Sequence, residues 1–253
     1  MRVYLAASTT GMPKKERQEA LEEGKPLFLL ETFVSGETVC KKVLNDVGAE
    51  NFLLDSGAFS FMSGKECSKE MLEEYLDRYI KFINDNDVKY FFELDVDTIF
   101  GIEFVERLRK KLERETGKPC IPVWHKGRGI DYWKMMVKQY KYIAIGGLVF
   151  HVKTQEYELI RKMVDYAYAH GVKVHGLGFT KTKELSNYRF YSVDSASWVK
   201  SAVRGQILHF FSGTEITQKH LQRSDKKYKL GLLAKHNFIE WCKYQRHMNT
   251  RRF

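Results

Sequence analysis

Phe52-Leu53-Leu54-Asp55-Ser56-Gly57-Ala58-Phe59 is an apolar run that stops at a carboxylate and then turns through small residues. Such a run reads as a buried strand delivering an acid to the mouth of a site. Downstream, Met71, Leu72, Tyr75, Leu76, Tyr79, Ile80 and Ile83 fall on one helical stripe behind Ser68, a residue type suited to an N-cap. Residues 90–95 then form a second apolar run that again closes on a carboxylate. Strand, helix, strand is the βαβ unit, and the pattern repeats outward in both directions. Further β-rich runs lie at 2–7, 121–125, 142–145, 173–177, 190–194 and 206–211. Helical patterns separate them, one carrying Phe104, Val105, Leu108 and Leu112. Another carries Tyr157, Ile160, Val164, Ala167 and Tyr168 and stops at Gly171. Strands alternating with helices in this way predict an α/β fold, a minimal (β/α)8 TIM-like barrel. The apolar run 26–33 is an additional strand or helix, which leaves the count open by one.

A chain of 253 residues suits one such domain over 1–253, with no linker, repeat or low-complexity segment to divide it. Hydrophobic residues at 43% and charged residues at 29% describe a globular protein, not a disordered one. No apolar stretch matches a membrane span, so no membrane partner is expected. Met1-Arg2-Val3-Tyr4-Leu5-Ala6-Ala7-Ser8 reads as a first buried strand and makes a poor signal peptide. Cys40, Cys67, Cys120 and Cys242 are scattered, which fits free thiols in a reducing cytoplasm and argues against a zinc-ribbon type site. The net charge of +10 favours a polyanionic partner, nucleic acid being the commonest. The cations crowd a basic C-terminal segment, about 219–253 and read as helical, where Lys226, Lys227, Lys229 and Arg246 are interleaved with Tyr228, Trp241 and Tyr244. Phosphate contact with base stacking is one use of that mixture; anchoring the last helix to the body is another.

In a barrel, chemistry sits at the C-terminal ends of the strands. Those positions here are Asp55, Asp95, His125, Gly146-Gly147, His175-Gly176 and Asp194. One such aspartate reads equally well as a helix cap; three on separate strands are harder to dismiss. Alternation puts Glu93, Asp95 and Asp97 on one face, with Asp95 preferred because it closes the run and Asp97 as its substitute. Gly57 and Ala58 keep the backbone thin beside Asp55, and Phe59 is placed to cover a flat ligand. Two carboxylates at one rim suffice for double displacement at a sugar carbon.

These motifs resemble the tRNA-guanine transglycosylase (queuine tRNA-ribosyltransferase) superfamily. Asp55-Ser56-Gly57-Ala58-Phe59 is similar to its Asp-Ser-Gly-Gly-aromatic motif, and Ala144-Ile145-Gly146-Gly147-Leu148 to its Ala-Ile-Gly-Gly-Leu turn. His175-Gly176-Leu177-Gly178 is similar to its Met-Gly-Val-Gly segment, and Ser192-Val193-Asp194-Ser195 falls where its nucleophilic aspartate lies. The set keeps the family's order over roughly residues 50–200. Its shortness resembles the phage-type DpdA branch, which places 7-deazaguanine bases in DNA.

The resemblance implies a pentosyltransferase in the cytoplasm, the host's if phage-encoded. Asp194 would be the nucleophile at C1′, and Asp55 the general acid/base. Asp95 would meet the base's N1–H and exocyclic amine, Gly146, Gly147 and Leu148 its O6 and 7-substituent edge, and Phe59 its face. DNA and a preQ0-like 7-deazaguanine base would be the substrates, with no cofactor and no metal. The three-cysteine zinc site of the tRNA enzymes has no counterpart, since only Cys242 follows Cys120. His175 stands at the base-sandwiching Met position, where it could stack or hydrogen-bond. Pro122-Val123-Trp124-His125-Lys126-Gly127 stands where the family has a Gln-Gly turn that contacts the base, which makes His125 a base reader or a structural histidine. A tRNA-directed enzyme, a nucleic-acid-binding barrel without chemistry, and a glycosidase are the alternatives.

Overall fold

Among the described residues, parallel strands β1 (Arg2–Ala6), β2 (Leu29–Thr32), β3 (Phe52–Asp55), β4 (Val123–Trp124), β5 (Tyr142–Ile145), β6 (Lys173–Gly176) and β7 (Ser192–Ser195) make one seven-stranded sheet. Their spatial order is β3-β2-β1-β7-β6-β5-β4. The computed structural model describes residues 1–58, 67–148, 154–179, 181–211, 216–220 and 230–251, with the backbone alone for 154–156 and 217–220. Helices α1 (Lys14–Gly24), α2 (Glu37–Val47), α3 (Lys69–Asp85), α4 (Asp97–Phe100), α5 (Ile102–Thr116), α6 (Gly129–Gln139), α7 (Thr154–Ala169) and α8 (Ser197–Val203) connect or follow the strands. A C-terminal helix, α9, spans Leu230–Thr250.

Period-two alternation sorts each strand between two cores. Val3 and Leu5 of β1 join the large core under the helices. Tyr4 between them joins a smaller cluster with Phe28, Leu30, Leu53, Phe92, Ile121, Val123 and Ala144. The sheet therefore curls around a core of its own. Its edge strands β3 and β4 are linked through residues 90–93. Leu54 N–H donates to Tyr90 O at 3.0 Å and Phe92 N–H to Leu54 O at 3.0 Å. On the other side Ile121 N–H donates to Phe91 O at 2.9 Å and Glu93 N–H to Ile121 O at 3.1 Å.

The run 90–95 makes only isolated bridges to Leu54 and Ile121, the run 206–211 pairs elsewhere, and the run left open at 26–33 is a strand. The run 206–211 does not enter this sheet: β8 (Gln206–Phe210) pairs antiparallel with β9 (Ile216–His220) in a separate hairpin. The run 26–33 takes a place in the sheet instead, as β2 between β1 and β3. Leu29 faces the outer core and Phe28 and Leu30 the inner one, the two-sided burial that a parallel strand requires. The segment from 219 onward is also not all helical, because β9 runs to His220.

The helices follow their apolar stripes. Ser68 caps α3 by accepting from Met71 N–H at 3.2 Å, and Leu72, Tyr75, Leu76, Tyr79, Ile80 and Ile83 are buried. Met71 falls off the stripe and is 54% exposed. The α3 tyrosines brace the site strand: Tyr75 OH donates to Ser56 O at 2.6 Å, and Tyr79 OH reaches Leu54 O and Phe92 O. In α9, Trp241 and Tyr244 are buried anchors. Gln245 Nε2 donates to Val3 O at 2.6 Å and Phe28 O at 2.7 Å, tying that helix to the β1 and β2 side of the sheet.

Candidate active site

The alternation that turns Leu53, Val123, Ala144 and Ser192 toward the inner face carries Asp55, His125, Gly146 and Asp194 to its C-terminal rim. Asp55 closes β3 beside Thr32 of β2. The chain then turns at Gly57, whose φ of +74° suits glycine, and a Cβ there would sit 2.3 Å from Val34 Cγ2. Burial, and then the charges of Asp95 and Asp194, push the Asp55 carboxyl up to about 7; the Gly57 N–H pulls the other way. The three aspartates thus share one electrostatic environment, and Asp55 is poised to exchange a proton near neutrality.

A raised carboxyl of this kind adds stability that is full below its unfolded value of 3.8 and is lost as pH rises through about 7. Asp55→Asn is therefore expected to stabilise the protein at pH 8 by on the order of 2 kcal/mol and to make little difference at pH 4. Melting curves of both proteins across that range test it. A gap independent of pH would contradict the assignment.

Asp194 lies within β7, and its Oδ1 accepts from Gly178 N–H at 2.7 Å and from His175 Nε2 at 3.2 Å. Among the described residues Oδ2 has no hydrogen-bond partner. His175 is fully buried, its ring and that of Phe92 meeting edge to face at 5.1 Å between centroids. It therefore hydrogen-bonds beneath the site and offers no face for stacking, which corrects one of its two expected uses. Its Nδ1 meets Ser192 Oγ at 2.7 Å, and Ser192 Oγ meets Tyr142 OH at 2.5 Å. Neither Ser192 nor Tyr142 was singled out by the sequence, although period two places Ser192 on the face of Asp194.

Asp95 pairs with His125, Oδ2 to Nε2 at 2.7 Å. Burial pushes the His125 imidazole down, but the hydrogen bond and charge of Asp95 outweigh it and leave the group raised. Asp97 is engaged elsewhere: Arg128 Nε and Nη2 donate to its two oxygens at 3.1 and 2.8 Å. The same guanidinium donates to Glu93 Oε1 at 2.8 Å, and Arg109 approaches Glu93 Oε2 at 3.2 Å. Glu93 and Asp97 thus meet at Arg128 while Asp95 serves the rim, so the three acids do not act as one face.

The His125 ring lies close against Gly146. A Cβ on Gly146 would come within 2.4 Å of His125 Cε1 and 2.9 Å of Val123 Cγ1. Gly147 is exposed with φ +76°, and Leu148 is buried. Gly146→Ala is expected to displace the ring, break the His125–Asp95 bond and cost about 1–3 kcal/mol. Denaturant unfolding measures the loss; a variant as stable as wild type would show that the ring is not held there.

Phe59, Lys226, Lys227 and Lys229 lie outside the described residues. Arg246 is half-buried and donates to the carbonyls of Gly24 and Lys25, closing the end of α1. Two hollows, of ≈ 870 and ≈ 750 Å³, lie at the opposite ends of the strands, lined by Tyr90, Ile121 and Tyr142 and by Arg2, Lys173 and Tyr191 respectively. They are separate from the carboxylates. Among the described residues no three His, Cys, Asp or Glu side chains are grouped to hold a metal ion, and no helix is long and apolar enough to cross a membrane. No protein-family model matches the chain, and no curated protein does.

Proposed function

We propose that this chain is a base-exchange glycosyltransferase that replaces guanine in DNA with a 7-deazaguanine derivative through a covalent sugar–Asp194 intermediate. We read residues 90–93 as the position that closes the curled sheet into a (β/α)8 barrel, which makes the C-terminal rim the site. The observation that carries the reading is Asp55. Burial, and then the charges of Asp95 and Asp194, raise its carboxyl to about 7, on the rim from which Asp194 presents an oxygen. A nucleophile and a proton carrier at one rim are what double displacement at C1′ needs.

In the first half-reaction, Asp194 Oδ2 attacks C1′, and the C1′–N9 electron pair leaves with guanine, which takes a proton from Asp55. In the second, Asp55 accepts the N9 proton of the incoming base, N9 attacks C1′, and the bond to Asp194 breaks. Retention of configuration and continuity of the strand follow from the covalent step. Asp95 keeps Oδ1 for the donors of the base, since Oδ2 is taken by His125. Gly146, Gly147 and Leu148 supply the opposite edge, and Phe59 stacking remains part of the proposal. A nucleotide must be extruded from a duplex, or presented in a single strand, to reach this rim. The basic charge supports a polyanionic substrate, and the absence of a three-cysteine cluster in the sequence favours DNA over tRNA.

Mass spectrometry of nucleosides from DNA incubated with the protein and a preQ0-like base tests this. A new 7-deazaguanine deoxynucleoside is expected. Modified nucleosides in tRNA alone would transfer the activity to RNA, and none in either would overturn it.

A further inference from the structure

We propose that His175 is a positioning residue, the last link of a hydrogen-bond chain from Tyr142 that holds Asp194 and eases the return of charge to it. This rests on the base-exchange reading of the site. The chain runs from Tyr142 OH to Ser192 Oγ at 2.5 Å, on to His175 Nδ1 at 2.7 Å, and from His175 Nε2 to Asp194 Oδ1 at 3.2 Å. Ser192 and His175 are both 0% exposed, so water does not interrupt it.

The proton order follows from the two ends. A carboxylate only accepts, so His175 Nε2 carries a proton. Tyr142 OH has no acceptor but Ser192 among the described residues, so its proton points to Ser192 Oγ. The Ser192 proton must then go to His175 Nδ1, which is left as an acceptor. Every donor points toward Asp194, and each bond polarises the next in the same sense. The reverse order would leave the Tyr142 proton buried without an acceptor.

This polarity acts unequally on the two half-reactions. Oδ1 takes the hydrogen bonds of His175 and Gly178, so Oδ2 is the oxygen that bonds C1′. In the sugar ester the carboxylate charge is gone and Oδ1 is a carbonyl oxygen. When the incoming N9 attacks, the C1′–Oδ2 electron pair returns to the carboxylate and negative charge reappears on Oδ1. His175 Nε2–H and Gly178 N–H are already aimed at that atom, as donors in an oxyanion hole are. The chain thus speeds departure of Asp194 while holding its attacking oxygen in place.

Single-turnover measurements with an end-labelled DNA oligonucleotide separate the steps. Covalent protein–DNA adduct is followed on denaturing gels, first without added base and then during a chase with guanine. His175→Ala is expected to slow the chase by about 10²-fold and adduct formation by much less, so that the adduct accumulates. Ser192→Ala should move the same ratio in the same direction by a few-fold, and it serves if His175→Ala does not fold. Equal losses in both steps would mean a structural role only and would overturn the proposal. Nitrogen NMR of the wild-type ring decides the chain without substrate: a proton on Nε2 with a bare Nδ1 is expected, and a proton on Nδ1 overturns it. Wild-type protein that forms no adduct with any nucleic acid would overturn the base-exchange reading and the charge-return step with it. The ring spectrum would still judge the positioning on its own.

Discussion

Asp194→Asn is expected to abolish base exchange, with a loss of about 10⁴-fold or more, and to form no covalent adduct. The substitution keeps an oxygen in place of Oδ1, so Gly178 N–H and His175 Nε2 retain their acceptor. What it removes is the anionic oxygen proposed to bond C1′. The folded protein should therefore melt close to wild type while adduct formation disappears. That separation matters, because an inactive variant that also unfolds says nothing about chemistry. An Asn variant that still forms adduct would place the nucleophile elsewhere.

Arg128→Met is expected to have the largest effect on stability. The Arg128 side chain is 1% exposed and joins Glu93, itself 0% exposed, to Asp97 at 11%. Burial pushes the Glu93 carboxyl up, and Arg128 and Arg109 are the charges that oppose this. With Arg128 removed, Arg109 remains as the cationic partner of Glu93 in the network. Breaking a buried ion pair from one side costs about 3–5 kcal/mol, because a charge is left uncompensated. For a chain of this length that corresponds to a melting temperature lower by roughly 10 °C. Asp97→Asn in the same background should recover part of the loss, since Asp97 is the acid that loses both guanidinium bonds. If Arg128→Met alone melts like wild type, the network is not holding the segment that presents Asp95.

Most strands of the sheet, and the placement of Asp55 and Asp194 toward strand ends, were legible in the sequence for the same local reason. An apolar run that ends on an acid and a small-residue turn, as at Asp55 and Asp194, states its own alternation. What went astray or stayed open depended on partners far along the chain. Residues 206–210 alternate as a sheet strand does, but alternation serves an antiparallel hairpin equally well, and their partner was 216–220. Residues 27–30 are apolar on both faces, which does not distinguish a strand from a helix until a neighbour is found on each side. The choice between Asp95 and Asp97 turned on Arg128, some thirty positions downstream, and no local pattern reveals that bond. The use of His175 likewise depends on Ser192 and Tyr142, which the fold brings together from separate strands. Arg246 was one cation among many in the sequence, and only its helix carbonyl partners give it a structural use.

The central claim is that Asp55 and Asp194 work on one glycosidic bond. Transfer of radiolabelled guanine into DNA, by wild type, Asp55→Asn and Asp194→Ala side by side, tests it most directly. The account predicts label in DNA with wild type, strong loss with Asp55→Asn and none with Asp194→Ala. Label that persists undiminished in either variant, or that never enters nucleic acid with wild type, would contradict it.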